Sequence, residues 1–441
     1  MGEYPTDLEI GLPFAAQALT QAAASAIVPV VNEERVVVAG GGAAGFFAAI
    51  TCKEASPGTE VLLFERGPHF LSKVRISGGG RCNVTHACFN PAELAGHYPR
   101  GGRELLGPFS RFQARDTVAW FESRGVSLKT ESDGRMFPVS NSSDEVVRCL
   151  QDAAARARVR LESGCGVEHV RRGPGGRFEL NLSGGRTLQC TRVLIATGGC
   201  RTAAGGRVPV ELGHTLESLV PSLFSFHIET PWVRALAGLS VNRVEASVPG
   251  TGHRAGGALI FTHAGMSGPA ILALSAWGAR DLHDRDYRFP LRVAWLPGVK
   301  AEAVEAELDS LRRRHPARLV IRTPIPSIPG RLWENLAAVA GLTPDTRWSG
   351  VSNASTRRLA AILESTELQV SGKSLNKDEF VTCGGVRLSE VNFRTMESRL
   401  CRGIYFAGEV LDIDGVTGGF NFQAAWTTGW IAGNALAATS A

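Results

Sequence analysis

The apolar residues of this chain fall first into short unbroken runs. Arg35-Val36-Val37-Val38-Ala39 and Val61-Leu62-Leu63-Phe64 carry apolar side chains at consecutive positions, the pattern of strands buried on both faces of a parallel sheet. Phe46 to Ala55 lies between them in helical order, and Pro57-Gly58 stops it. Val193-Leu194-Ile195 and Ile404-Tyr405-Phe406 are further runs of the same kind. Ser142 to Glu145 has the spacing of a capping box that opens a helix through Ala157, with Val146, Val147, Leu150 and Ala154 on one face. Gly166 to Cys190 breaks into Val167–Val170, Arg177–Leu182 and Arg186–Cys190, separated by glycine turns, and predicts a β-meander.

Beyond Gly199 the rhythm changes. Leu223–Thr230, Ser240–Val248 and Leu259–Thr262 predict strands, and Glu302–Arg314, Arg331–Ala340 and Ser355–Leu363 predict helices. Phe380-Val381-Thr382 returns to strand, and a last helix is expected over roughly Gln423 to Ala438. An α/β unit built on a parallel sheet, split by a β-rich segment and a small helical segment, accounts for this order. The expected divisions are 1–33 as a loosely ordered extension, 34–205 as the first part of the α/β unit, and 206–297 as the first part of the β-rich insert. Then follow 298–362 as the helical insert, 363–382 as the rest of the β-rich part, and 383–441 as the rest of the α/β unit. A chain of 441 residues exceeds one ordinary core.

Composition narrows the class. Apolar residues at 44% and charged residues at 20% are those of a soluble globular protein. Nine cysteines without regular spacing do not make a disulfide framework and point to a reducing compartment. The net charge is +5 with scattered arginines, which argues against a nucleic-acid partner. The one basic run, Arg312 to Arg314, closes a helix that opens on Glu302, Glu305 and Glu307 and so complements its dipole. Ile10 to Asn32 is uncharged, but Pro13, Gln17, Gln21 and Pro29 interrupt it. Glu3, Asp7 and Glu9 stand where a signal or transit peptide would be basic. Neither a membrane span nor an export signal fits. A cytoplasmic location is expected, with organellar import as the alternative, and oligomeric state is not legible.

Fifty-one glycines are far above the usual share, and the first cluster has a chemical reading. Gly40-Gly41-Gly42-Ala43-Ala44-Gly45 follows the first strand directly, so Gly40, Gly42 and Gly45 satisfy G-x-G-x-x-G. The first glycine permits the tight turn, the second lets backbone approach a pyrophosphate, and the third lets the helix lie close to the strand. Free N–H groups and the dipole at the helix N-terminus favour the anion. The second strand ends in Glu65, 20 residues past Gly45, where an acid meets the adenosine ribose hydroxyls. This is a dinucleotide site.

The meander followed by Ala196-Thr197-Gly198-Gly199 resembles the FAD-binding fold of the glutathione-reductase superfamily. Gly408-Glu409 and Asp412 resemble the superfamily element that reaches the ribityl chain and pyrophosphate. Gly418-Gly419-Phe420-Asn421 opens the last helix, whose N–H groups are then expected to face the pyrimidine edge of the flavin. Four blocks resemble one group in particular, the BaiN/YhiN-type FAD-dependent oxidoreductases, over roughly residues 34–436. They are Ile76-Ser77-Gly78-Gly79-Gly80-Arg81-Cys82-Asn83, Gly134-Arg135-Met136-Phe137-Pro138, Phe261 to Pro269, and Gly403 to Asn421. The resemblance implies a split Rossmann-like FAD-binding domain, an inserted β-barrel-like domain with a small helical insert, and FAD as cofactor. The residues expected around it are Gly40, Gly42, Ala43, Ala44, Gly45, Glu65, Arg66, Ser77, Gly78, Gly79, Gly80, Arg81, Cys82, Asn83 and Val167. Ala196, Thr197, Gly198, Gly408, Glu409, Asp412, Gly418, Gly419, Phe420 and Asn421 complete the set.

Other chemistry fits less well. Cys82 and Cys88 are separated by five residues, against four in the disulfide reductases, and with His86 they lack a fourth ligand for zinc. Gly265-Met266-Ser267-Gly268 ends in Pro269 where a hydrolase elbow needs glycine, so Pro269 is read as a helix N1 residue capped by Ser267 or Gly268. There is no second G-x-G-x-x-G for a dedicated NAD(P)H domain. The expected activity is FAD-dependent hydride transfer through flavin N5, between transiently bound NAD(P)H or an organic substrate and an acceptor. The resemblance implies a small-molecule substrate, a conjugated enone or small amine. A flavin-dependent tRNA-modifying enzyme and a non-catalytic FAD scaffold stay open. No catalytic acid or base stands out; Arg81, Asn83 and His86 are the first positions to test.

Overall fold

The computed structural model describes residues 34–200, 203–374 and 381–438; the extension expected over 1–33 and Phe380 of an expected strand lie outside the described residues. Strand β1 (Arg35–Ala39) lies inside a seven-stranded sheet, parallel to Arg192–Ile195 on one side and to β2 (Glu60–Glu65) on the other. Arg160–Ser163 continues the sheet beyond β2, and Ile404–Phe406 continues it beyond Arg192–Ile195, both parallel. Glu397–Ser398 and Val391–Asn392 close that edge antiparallel. Val36, Val37, Val38, Leu63, Val193, Leu194 and Ile195 have no exposed surface, which is why these runs do not alternate.

Helix α1 (Ala43–Ala55) and the terminal helix (Phe420–Ala437) pack directly on one another. The contact depends on Gly429 and Gly433: a Cβ at either would come within 2.6 Å of the carbonyl oxygens of Ala44 and Ala48. Without side chains there, the two backbones come close enough to bury Phe46, Phe47 and Trp426 completely. The meander forms as expected, from Val167–Arg172, Phe178–Leu182 and Thr187–Cys190.

Six strands close into a barrel in the order Ser225–Ile228, Gly265–Ser267, Arg254–Thr262, Ser240–Ser247, Phe289–Ala294 and Thr366–Ser374. Phe226, Phe261, Phe289 and Trp295 fill its core, and the helices Ala301–Arg314, Gly330–Val339 and Asn353–Glu364 lie between its last two strands in sequence. An antiparallel pair, Leu216–Ser222 with Val381–Val386, carries the chain into and out of this region.

Two local expectations need correction. The expected strand Leu223–Thr230 begins only at Ser225, because Leu223 turns into the left-handed region at φ 57°. The capping box at Ser142 is half formed. Ser142 Oγ accepts the Asp144 N–H at 3.3 Å, but Glu145 takes the hydroxyl of Ser140 instead of turning back to the Ser142 N–H. Gly268 stands at the N-cap and Pro269 at N1 of the helix Pro269–Trp277, as expected. Among the described residues no helix is long and apolar enough to cross a membrane.

Candidate functional site

A cavity of about 720 Å³ opens where β1 meets α1, and its wall draws on segments from Gly40 to Ala425. The glycine turn forms one side. Gly40 takes φ 116°, and a Cβ there would collide with the carbonyl oxygen of Ala196; one on Gly45 would collide with that of Gly40. A Cβ on Gly42 would meet nothing within 4 Å among the described residues, so the backbone at this turn faces open space. Gly42 is the N-cap of α1, with no side-chain cap and no acid in the first turn, which leaves the helix N–H groups as donors to whatever occupies the cavity. The Glu65 carboxylate accepts the N–H of Gly41 at 2.8 Å and of Gly67 at 2.7 Å, holding the end of β2 against the turn.

The second side is helix α2 (Ser72–Gly80) and the loop in which it ends. Its helical path breaks at Ser77, with ψ 150°, and Gly78 and Gly79 are left-handed. Gly78 packs on Phe137, and the Arg81 guanidinium lies 3.9 Å from the centre of the same ring. Arg81 Nη1 also donates to Glu131 Oε1 at 2.7 Å, so it braces the loop from outside the cavity. Asn83 donates its amide to the carbonyls of Thr85 at 3.0 Å and Met136 at 3.2 Å and accepts the Gly419 N–H at 3.0 Å, in the amide orientation that satisfies all three. Cys82 is fully buried, and burial pushes its thiol up to about 12.

The third side comes from the C-terminal part of the chain. Glu409 Oε1 accepts the Thr382 N–H at 2.9 Å and Oε2 accepts the Lys73 ammonium at 2.6 Å, tying this side to α2. Leu71 and Leu223 both line the cavity and both sit at positive φ, strain held in place by their surroundings. Gly418 and Gly419 lead into the terminal helix, whose N-cap Gly419 has no side-chain cap and whose first turn has no acid. Two uncapped helix N-termini thus meet one cavity.

Behind Gly418 three rings stack. His97 lies 4.2 Å and His86 4.7 Å from Phe420, centre to centre. His86 Nε2 is 3.0 Å from the carbonyl oxygen of Asp133, which only accepts, so Nε2 carries a proton. Nδ1 is buried without a partner among the described residues. Burial lowers the pKa of both histidines, and for His97 the neighbouring His86 adds to it.

Of the expected residues, Gly40, Gly42, Ala43, Ala44, Glu65, Ser77, Gly78, Gly79, Asn83, Ala196, Thr197, Gly198, Gly408, Glu409, Gly418, Gly419 and Asn421 line this one cavity. Gly45, Arg66, Gly80, Arg81, Cys82, Val167, Asp412 and Phe420 do not. Asp412 is engaged elsewhere, its carboxylate held by Arg280 at 2.8 Å and by the Gly384 N–H at 3.0 Å. Cys82 and Cys88 are both free thiols. Sequence reasoning missed Lys73, Arg135, Phe137, Leu223 and Thr382 on the wall. Arg135 and Phe137 stood inside a quoted block; Leu223 and Thr382 carried no signal.

The donor set suits a dinucleotide. The uncapped N–H groups and dipole of α1 favour a pyrophosphate, the terminal helix offers a second positive dipole to the same cavity, and the carboxylates of Glu65 and Glu409 suit hydroxyl groups. The profile of the family described as "HI0933-like protein Rossmann domain" matches residues 34–435. A protein of Escherichia coli strain K12 named ribosomal RNA dihydrouridine synthase is 30% identical over 383 residues, 85% of this chain and 91% of its own length. A 3-dehydro-bile acid delta(4,6)-reductase of Clostridium scindens is 28% identical over 399 residues, 88% of this chain and 96% of its own. Among solved structures, 3-ketosteroid delta1-dehydrogenase from Sterolibacterium denitrificans aligns over 92% of this chain and 99% of its own at 14% identity and a TM-score of 0.48.

Proposed function

The chain belongs to the HI0933-like Rossmann family of FAD-dependent oxidoreductases, and from that premise we propose that it saturates a carbon–carbon double bond conjugated to a carbonyl, with NAD(P)H as the source of hydride. The observation that carries this reading is the chemistry shared by the names of two relatives that each cover most of the chain. Dihydrouridine is uridine with two hydrogens added across such a bond, and a delta(4,6)-reductase adds hydrogens to an unsaturated ring system. FAD, when bound, supplies a two-electron carrier able to take and give hydride.

The chain's own residues hold and shield that cofactor. Gly40, Gly42, Ala43 and Ala44 present backbone donors to its pyrophosphate, and Glu65 takes the adenosine ribose hydroxyls. Ala196, Thr197, Gly198, Gly408 and Glu409 line the middle of the cavity, and Lys73 balances the Glu409 charge. Asn83, by fixing Gly419, keeps the N-terminus of the terminal helix aimed at the ring, where a positive dipole stabilises negative charge. Gly78, Phe137, Leu223 and Ile413 exclude water around it. Arg81 supports the loop at Ser77–Gly80 from behind through Phe137 and Glu131, and Phe420 stacks behind Gly418.

An anaerobic titration with NADH and then NADPH, followed at the flavin absorbance maximum, tests the first half of this reading. Bleaching is expected with one of them, and bleaching with small amines alone would turn the reading to an oxidase. The Escherichia coli relative's name favours a second reading, in which the conjugated bond belongs to a uracil of RNA. Incubation of the reduced protein with a steroid dienone or with ribosomal RNA, read as a gain of two hydrogens by mass spectrometry, separates the two.

A further inference from the structure

The inference drawn here rests on the reading of the chain as a reductase of conjugated double bonds and concerns the residue that meets the carbonyl group. Strand β3 (Thr85–His86) pairs with Arg135–Pro138 so that Arg135 stands opposite His86, which lies against Gly418. Arg135 lines the cavity together with Gly78, Asn83, Gly418 and Gly419. Its guanidinium is gripped on two sides: Nε donates to Asp133 Oδ2 at 2.7 Å and Nη2 to Glu131 Oε2 at 3.0 Å. Glu131 is fixed in turn by Arg81. The remaining nitrogen, Nη1, makes no hydrogen bond to the described residues. A guanidinium keeps its proton in proteins, so Arg135 serves as a fixed donor and not as an acid.

We propose that Arg135 is a catalytic residue whose Nη1 binds the carbonyl oxygen of the conjugated substrate, with Glu131 and Asp133 as its positioning residues. Saturation adds a hydride, two electrons and one hydrogen nucleus, to the β-carbon, and a proton from water to the α-carbon. The hydride derives from NAD(P)H. Between the two additions the double bond lies between the α-carbon and the carbonyl carbon, and the negative charge rests on the oxygen. A donor held in place before the reaction stabilises that charge more than it stabilises the starting carbonyl.

The test uses the FAD-loaded protein and para-nitrophenol, whose phenolate places a charged oxygen on a planar conjugated frame. Its own absorbance reports binding and ionisation. The native protein is expected to bind the phenolate and to lower the apparent pKa of the bound probe below its value in water. Arg135→Gln is expected to weaken phenolate binding about tenfold, the loss of one charge-assisted hydrogen bond, and to abolish the pKa shift. Arg135→Lys keeps the charge without the held fork and falls between. If Arg135→Gln does not retain FAD, Glu131→Gln, which loosens the grip on Arg135, is expected to give a smaller loss in the same direction.

In parallel, dithionite-reduced protein is mixed anaerobically with 2-cyclohexenone, with a steroid dienone and with ribosomal RNA. If none of the three reoxidises the native protein, the parent reading falls and this proposal with it. If any does, and folded, FAD-loaded Arg135→Gln and Arg135→Lys bind phenolate and reoxidise like the native protein, the assignment of Arg135 alone is overturned.

Discussion

Lys73 and Glu409 stand 336 residues apart in the chain and meet with 2.6 Å between Nζ and Oε2, joining α2 to the turn after Ile404–Phe406. The Lys73 side chain is 55% exposed, so the pair contributes at most about 1 kcal/mol to folding. Lys73→Met is therefore expected to leave the melting temperature within a few degrees of native while weakening FAD binding several-fold. Titration of the apoprotein with FAD, followed by flavin fluorescence, measures the affinity, and equal values for variant and native would remove Lys73 from the cofactor site.

Glu65 accepts two backbone N–H groups and faces the same cavity. Glu65→Ala leaves Gly41 and Gly67 without their acceptor and takes away the proposed ribose contact. A loss of about tenfold or more in FAD affinity is expected from hydrogen bonds to a charged group. Unchanged retention of FAD through dialysis would contradict it.

The collision forecast at Gly45 is with backbone, which cannot swing aside. Gly45→Ala is expected to cost about 2–3 kcal/mol of stability, as overpacking does. Urea unfolding of the FAD-free protein isolates this from cofactor loss; a midpoint equal to native would show that α1 shifts freely on β1.

His86, His97 and His214 all have their pKa lowered from 6.5, burial being the leading cause in each. The unfolded chain then binds more protons than the folded one just below pH 6.5, so stability is full above that value and declines as pH falls through it. Glu60 and Glu390, with lowered carboxyl pKa values, add their losses only in more acidic solution. A falling melting temperature between pH 7 and pH 5 is expected, and His97→Gln should flatten it. A profile that rises over that interval would show these histidines to be charged in the native state.

Eight of the nine cysteines are buried and Cys401 is partly exposed. Burial holds the thiols of Cys52, Cys82, Cys190 and Cys200 up at about 12, so little thiolate exists near neutrality. Native protein at pH 8 is expected to be alkylated at Cys401 first, with Cys82 reacting only on unfolding; rapid labelling of Cys82 would instead reveal an open loop at Ser77–Gly80. Peptide mass spectrometry reads both.

What the sequence disclosed follows from how local each signal is. The β1 turn, Glu65 and the Gly418-Gly419 entry to the last helix were legible because a tight turn, a buried apolar run and an N-cap are each written in a few adjacent residues. Lys73 was not, since its role arises from a partner more than 300 positions away. Leu223 and Thr382 were hidden for the same reason: they reach the cavity only because Leu216–Ser222 pairs with Val381–Val386. The barrel that the family resemblance implied is present, but two of the strands that close it, Phe289–Ala294 and Thr366–Ser374, escaped reading, as pairing over some 75 positions leaves no mark in either strand. The half-formed capping box shows the converse, a correct local spacing overridden when Ser140 competed for Glu145.

The pairing of Ile195 with Phe406 has a bearing on biosynthesis. While the polypeptide emerges from the ribosome, the strand Arg192–Ile195 waits for a neighbour that is translated some two hundred codons later, and the intervening barrel gains its last strand, Thr366–Ser374, only about thirty codons before that. The nascent chain therefore shelters half a sheet until translation is nearly finished. The cavity wall, which runs from Gly40 to Ala425, is therefore complete only once the last helix has been made.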